Sequence, residues 1–521
     1  MFDKLKNNIS NNQLKYGAIL SYAQMAIRIL VGLLYTPYMI RMLGKNEYGL
    51  YSTVSSTISM LSILNLGLNA GYIRYYAKYK TESDNESINR LNGLYLIIFT
   101  IIGLVALVCG LGMSFNLDFI FSKGLTSDEY GIARILAILT TFNLAVSFPA
   151  SVFSTIISAH EKFVVLKVLA MIRTAFTPAI MLPILYYGYK SVAMVTVTVV
   201  LSLLVDISYY AYCRKVLNVK FSFNNFEKDI LKSLFVYTFF IALNSVIDQI
   251  NWNVDKLLLG RFKGTLVVAV YSVGYHLYGF YMMMSVAVSG VFTPRVHAII
   301  NKYKDDKEKC FCELNELFVK IGRIQFLILA LISSGVVIFG KAFIGFWVGT
   351  GYEDSYYVAL LLIIPASIAL IQNLGIEIQR AENKHQFRSY AYTVMALVNL
   401  ILSIYLCQLY GAIGSAIGTA ISLILANGLI MNVYYHLKCG INVISFWKNI
   451  IKMFAGLILP IGASFLLPDY FDYNTKSGFV LGVAIYTVIY CVSMWFVSMN
   501  KYEKSLIPVL NRFVKKSEDE L

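Results

Sequence analysis

Long apolar runs separated by short polar segments set the pattern of this chain. Runs of about 20 apolar residues, the length that crosses a hydrocarbon core of about 30 Å as a helix, fall at 17–39, 47–69, 91–113, 131–157, 166–187 and 190–212. The polar stretch CRKVLNVKFSFNNFEKDILK follows, and eight more runs lie at 233–256, 265–291, 319–340, 357–379, 388–408, 411–436, 447–468 and 478–499. The pattern predicts an all-α polytopic membrane protein of about fourteen spans. It divides into an N-lobe (1–212), a cytoplasmic linker (213–232), a C-lobe (233–437), two further helices (438–500) and a cytoplasmic tail (501–521), with two pseudo-symmetric six-helix lobes. The first 15 residues are polar, and the run after them is too long for a signal-peptide core, so the first helix is expected to be retained.

Charge tests this topology independently, because Lys and Arg collect in short cytoplasmic loops. With the N-terminus inside, 32 of the 44 basic residues fall in cytoplasmic segments, nine in outer loops, and Arg28, Arg134 and Arg173 within spans. A missed span would invert every later loop and blur that bias. The composition agrees: 58% hydrophobic, 14% charged and a mean hydropathy of +0.65. The net charge of +15 follows from the topology and from attraction to an anionic inner leaflet, so nucleic acid is not implied. Seven cysteines at 109, 213, 310, 312, 407, 439 and 491 sit in spans or cytoplasmic loops and read as reduced thiols. Cys310 and Cys312 lack the second pair that a metal site needs.

An internal repeat supports the two lobes. RMLGKNEYGLYS after the first span resembles KLLLGRFKGTLVVAVYS after the seventh, with Tyr51-Ser52 matching Tyr271-Ser272 and Gly44 matching Gly260 across a four-residue insertion. Both copies follow odd-numbered spans, so the halves are expected to be related by an axis along the membrane normal. This register equates Arg28 with Asn244.

Polar residues inside the spans form stripes. Ser21, Gln24, Arg28 and Tyr35 share one face of the first helix; Tyr237, Asn244, Asp248, Asn251 and Asp255 share one face of the seventh. Ser52, Ser55, Ser59, Ser62 and Asn69 do the same on the second, where close packing through small hydroxyls is the competing account. A cation at mid-bilayer depth costs roughly 2.5–3.5 kcal/mol, so Arg28 is expected to face a polar cavity, and Arg173, about two turns inside the cytoplasmic face, could share it. Asp206 and Asp248 are candidates for ion pairs with these arginines or for protonation-linked coupling. Arg134 is expected to snorkel, and Glu377 with Arg380 to form a local pair. PRVHAIINKYKDDKEKCFCELNELFVK reads as an amphipathic interfacial helix, and KKSEDEL as a frayed tail.

LNLGLNAGYIRYYAKY (Gly67, Leu68, Arg74), FSTIISAHEKF (Glu161, Phe163), NWNVDKLLLGRFKG (Asp255, Gly260, Gly264) and YGAIGSAIGTAIS together resemble the polysaccharide biosynthesis protein family. These are the Wzx-type lipid-linked oligosaccharide flippases of the multidrug/oligosaccharidyl-lipid/polysaccharide exporter superfamily. The resemblance spans essentially the whole chain. It implies a bacterial inner-membrane transporter that carries undecaprenyl-diphosphate-linked units for O-antigen, lipopolysaccharide or capsule to the outer leaflet. It implies a cationic central cavity, which Arg28 fits, while the matching helix of the second lobe offers Asn244 and Asp248 and no cation; Arg173, Gln24 and Asn244 are further substrate-binding candidates from their places in the spans and in the repeat. It also implies proton or sodium coupling rather than a cofactor, and a glycan polymerase and glycosyltransferases as partners in the pathway.

A guanidinium suits a diphosphate because it offers bidentate charge-assisted bonds. Two rivals stand beside this reading. A multidrug antiporter would rely on acidic lumen residues such as Asp206 and Asp248. A glycan polymerase would need catalytic carboxylates on a large extramembrane region, which the short outer loops do not supply. No G-x-x-x-x-G-K-[ST] motif occurs, which argues against ATP hydrolysis within the chain.

Overall fold

The computed structural model describes residues 13–121, 125–224, 228–382, 384–466 and 471–506. The side chain of Tyr237 and the segment KKSEDEL lie outside the described residues. Every regular element among those described is helical. Among the described residues, eleven helices are long and apolar enough to cross a membrane, and large apolar side chains such as Leu34, Val108, Ile401 and Phe496 stand exposed along them. Such surface is stable only against lipid or a partner.

The first half runs α1 (Gln13–Leu43), α2 (Lys45–Ser59), a 3₁₀ turn (Met60–Asn65), α3 (Leu68–Thr81), α4 (Asn85–Phe115), the short α5 (Leu117–Ile120), α6 (Ser127–Ala159), α7 (Phe163–Tyr186) and α8 (Ser191–Lys215). Side-chain caps begin two of the long helices: Asp84 accepts from the Ser87 amide at 2.9 Å, and Glu129 accepts from the Thr126 amide at 2.8 Å in a reciprocal capping box. The Ser87 bonds also hold the Asp84 carboxyl below its ordinary range.

The second half runs α9 (Lys228–Phe262), α10 (Thr265–Lys302), α11 (Lys307–Trp347), α12 (Asp354–Ile371), α13 (Leu374–Ala381) and α14 (His385–Leu423). A π-helical turn (Ile424–Ile430) leads into α15 (Met431–Lys438), and α16 (Val443–Met453), α17 (Ala455–Leu466), α18 (Lys476–Ser493) and α19 (Lys501–Ser505) complete the chain.

Five expected spans depart from single continuous helices of their own: 357–379 is divided between α12 and α13, 447–468 between α16 and α17, and three others differ as follows. The run expected at 47–69 is broken: after the 3₁₀ turn, Leu66 and Gly67 adopt φ of +49° and +67° before α3 begins. The spans expected at 388–408 and 411–436 lie in one run, Gln386–Lys438, interrupted at Gly411, where φ is +58°. The seventh lies in α9, which is not among the eleven. The expected interfacial helix is absent as a separate element. Its first residues complete α10, a turn follows at 303–306, and the rest begins α11. Its apolar positions are the ends of two long helices.

Contacts divide the chain into two compact units, Met1–Ser272 with Ala396–Ser415, and Val273–Met395 with Ala416–Leu521. The core of the first packs Tyr72, Tyr76, Tyr95, Phe99, Phe148 and Ile156. Tyr72 donates to Asn92 at 2.6 Å, and Asn92 in turn donates to the Lys220 carbonyl at 3.0 Å, which ties the linker to α4. A second cluster, including Leu50, Val54, Phe121 and Val199, fills the other end. In the second unit Gln325 reaches Ser285, and Tyr486 reaches Ser334 at 2.7 Å. Arg323 holds Glu503 through two bonds of 2.5 and 2.9 Å, with both residues buried.

Candidate functional site

The turns after α1 and α9 fix the register of the repeat. Gly44, between α1 and α2, has φ +77°, and Gly264, just before α10, has φ +87°. That conformation strains residues carrying a Cβ, so these two glycines occupy equivalent turns. Ser52 and Ser272 lie the same 220 residues apart, and their hydroxyls meet at 2.6 Å. Gly49 lies so close to Thr265 that a Cβ would fall 1.9 Å from its carbonyl oxygen. The repeat is therefore ungapped, and the expected match of Gly44 with Gly260 is corrected by four residues. Arg28 is the counterpart of Asp248, not of Asn244; Gln24 is the counterpart of Asn244, and Tyr35 of Asp255.

The first helix is placed by α7. Gly17 packs on Phe163, and the Val164 amide donates to Gln13 at 3.4 Å, so α1 and α7 start together and run in parallel. Arg28 lies eleven residues beyond Gly17 and Arg173 ten beyond Phe163, which puts them about 16 Å and about 15 Å above that contact at 1.5 Å per residue. Eleven residues are three turns plus about 20°, so Arg28 stays on the α7-facing stripe. The two arginines thus share one depth on adjacent helices. Both side chains are exposed, and among the described residues neither guanidinium has a hydrogen-bond or ion-pair partner. Arg173 acts electrostatically on Asp206 and Tyr209 of α8 from beyond ion-pair distance. Gln24 is half-buried beside this level.

On α9 the half-buried Asn244 and the exposed Asp248 continue into bonded partners. Asn251 accepts from Asn399 at 3.4 Å. Asp255 is buried and accepts from Tyr271 and Ser415, each at 2.7 Å. A second stripe flanks the first: Asn253 donates to Gln249 at 2.5 Å, and Gln249 donates to Ser62 beside the broken span at 2.8 Å. The two stripes give α9 polar residues over more than half its circumference, which in a bilayer must face protein or water. Of the other intramembrane charges, Arg134 lies 6.0 Å from the Phe115 ring, and Arg380 bonds Glu377 at 2.7 Å.

The family model for polysaccharide biosynthesis proteins matches residues 14–300. The chain belongs to the polysaccharide biosynthesis protein family. One relative is a putative O-antigen transporter of Shigella flexneri, 22% identical over 431 residues that cover 80% of this chain and 96% of the relative. Among solved structures, the lipid II flippase MurJ in an inward closed conformation aligns with a TM-score of 0.68 at 15% identity, over 94% of this chain and 99% of MurJ. An inward-facing multidrug resistance MATE family transporter of the MOP superfamily aligns with a TM-score of 0.58 at 13% identity, over 83% of this chain and 99% of the transporter. At such identities these likenesses establish the fold.

Within this family member, two engaged arginines escaped the sequence reading because both were counted as loop cations. Arg388 sits in the first turn of α14, 4.4 Å from the Tyr392 ring, and donates to the Tyr392 hydroxyl at 3.0 Å. Its spacing of four residues from Tyr392 was the available signal. Arg323 gave none, since Glu503 lies 180 residues away.

Proposed function

We propose that this chain is a flippase that moves polyprenyl-diphosphate-linked oligosaccharide from the cytoplasmic to the outer leaflet by alternating access. The observation that carries the reading is the pair Arg28 and Arg173. Two guanidiniums at one depth, on neighbouring helices and without hydrogen-bond or ion-pair partners among the described residues, are costly unless a mobile anion uses them. A diphosphate offers oxygens for both, and each contact contributes roughly 1.5–3 kcal/mol, strong enough to hold and weak enough to release. Gln24 and Asn244 flank the phosphate as equivalent amides. The resemblance to a putative O-antigen transporter supports a lipid-linked glycan as the anion.

The finer picture follows from the charge distribution: fourteen passes, two six-helix lobes and two extra helices, both termini cytoplasmic, in a bacterial inner membrane. Alternating access is coupled to a proton or sodium gradient through Asp206 or Asp248, no covalent chemistry is performed, and a glycan polymerase and glycosyltransferases act before and after it. The multidrug-antiporter reading shares the fold but leaves two cations without a role. The test is complementation of a flippase-null strain. Restored surface glycan with disappearance of the inner-leaflet precursor is expected; dye efflux without glycan export would overturn the proposal.

A further inference from the structure

The pair α7 and α8 has two faces. One, at Phe163, Lys167, Ala170 and Thr174, follows the α1 contact by helical spacing. The other carries a groove of about 590 Å³ whose lining includes Val165, Val168 and Leu169 of α7 and Ala211, Tyr212 and Lys215 of α8. Its walls are apolar over about two turns. Ser208, the remaining hydroxyl in the lining, donates to the Leu204 carbonyl at 2.7 Å. Lys215 closes the end where α8 terminates, is exposed, and has no ion pair among the described residues. No acidic residue lines the groove, and Asp206 lies on the opposite side of α8 by helical spacing.

From this polarity we infer that the groove is a binding site for an anionic glycerophospholipid of the cytoplasmic leaflet, with its phosphate at Lys215 and an acyl chain along Val165, Val168 and Leu169. The basic residues around this end, Lys162, Lys167, Arg214 and Lys220, place it on the cytoplasmic side under the positive-inside rule. A lipid in that leaflet presents phosphate at the surface and chain toward the midplane, the order in which the groove presents cation and apolar wall. The glycan carrier fits less well, because the lining offers sugar hydroxyls no free polar partner besides Tyr212. The inference rests on the proposed topology but not on the transported substrate.

Native mass spectrometry of the purified full-length chain tests it, using phosphatidylglycerol and phosphatidylcholine with identical acyl chains, and undecaprenyl phosphate as a third probe. Phosphatidylglycerol should be retained over phosphatidylcholine by about fivefold, the effect of one lysine near an anionic headgroup. Lys215→Gln should erase that preference, Val165→Trp should reduce retention of both glycerophospholipids by filling the trough, and Lys452→Gln should change nothing. Equal losses in Lys215→Gln and Lys452→Gln would reduce the effect to general surface charge and overturn the site. Preferential retention of undecaprenyl phosphate, lost in Val165→Trp, would also overturn it and assign the groove to the carrier. Because Lys215→Gln alters an exposed side chain that has no ion pair among the described residues, the test does not hang on folding. Neither negative outcome touches the export assay above, so the two proposals fail separately.

Discussion

Helices α1 and α9 occupy equivalent places in the repeat and carry equivalent polar stripes, yet they are fitted differently. On α9 the stripe is tied down: Asp255 by Tyr271 and Ser415, Asn251 by Asn399, and the flanking Gln249 by Ser62. On α1, among the described residues, Arg28 is exposed and unpartnered, and Tyr35, the counterpart of Asp255, keeps a hydroxyl with no hydrogen-bond partner. Buried polar groups cost free energy unless satisfied. In the proposed function this difference means that Asn251 and Asp255 of the α9 stripe build scaffold, while the α1 stripe, assisted by Asn244, serves the ligand. The charge inversion at Arg28 and Asp248 points the same way, since a diphosphate needs cations on one side only.

The sharpest way to break this comparison is on stability. Asp255→Ala should cost about 2–4 kcal/mol, because it strips two buried hydroxyls of their acceptor, whereas Arg28→Ala should stay within about 0.5 kcal/mol. Thermal unfolding of the two purified variants checks both, and equal losses would erase the distinction. A double-mutant cycle on Ser52→Ala and Ser272→Ala should give a coupling near 1 kcal/mol across the repeat. Gln249→Leu should cost about 1 kcal/mol and raise hydrogen exchange around residues 60–70, since it releases the broken span from α9.

The corrected register is tested on function. Gln24→Ala and Asn244→Ala should lower export by similar factors of about five, equivalent to 1 kcal/mol each, if the two amides are counterparts. A smaller effect concerns pH. His160 lies 4.9 Å from the Tyr76 ring at the end of α6, and burial, with Lys80 and Lys162 nearby, pushes its pKa below the ordinary value. The unfolded chain then binds the proton more readily, so stability is lost as pH falls through about 6.5. His160→Gln should flatten the acid limb of a thermal-midpoint profile while leaving neutral pH unchanged.

Length, apolarity and basic-residue placement made most helices legible, because bilayer thickness and inner-leaflet charge act on sequence directly. Turns did not yield as fully. Gly260 and Gly264 are equally good letters for a turn, and only the positive φ at Gly264 shows which one ends α9, so the repeat was visible but its register slipped by four. The break at Leu66 and Gly67 left only a weak trace in the glycine and its flanking asparagines. At the site, Arg28 and Arg173 stood out because mid-span cations are rare, but their common depth depends on the Gly17 contact with Phe163, which no local pattern encodes. The bonds from Asp255 to Ser415 and from Arg323 to Glu503 join residues 160 and 180 positions apart and were invisible for that reason.

The most direct test of the central claim compares wild type, Arg28→Ala and Arg28→Lys at matched membrane levels, measuring surface glycan and the lipid-linked precursor kept on the inner leaflet. The account predicts that Ala abolishes surface glycan and accumulates precursor while Lys restores part of the export. Full export by Arg28→Ala, with no precursor retained, would contradict it.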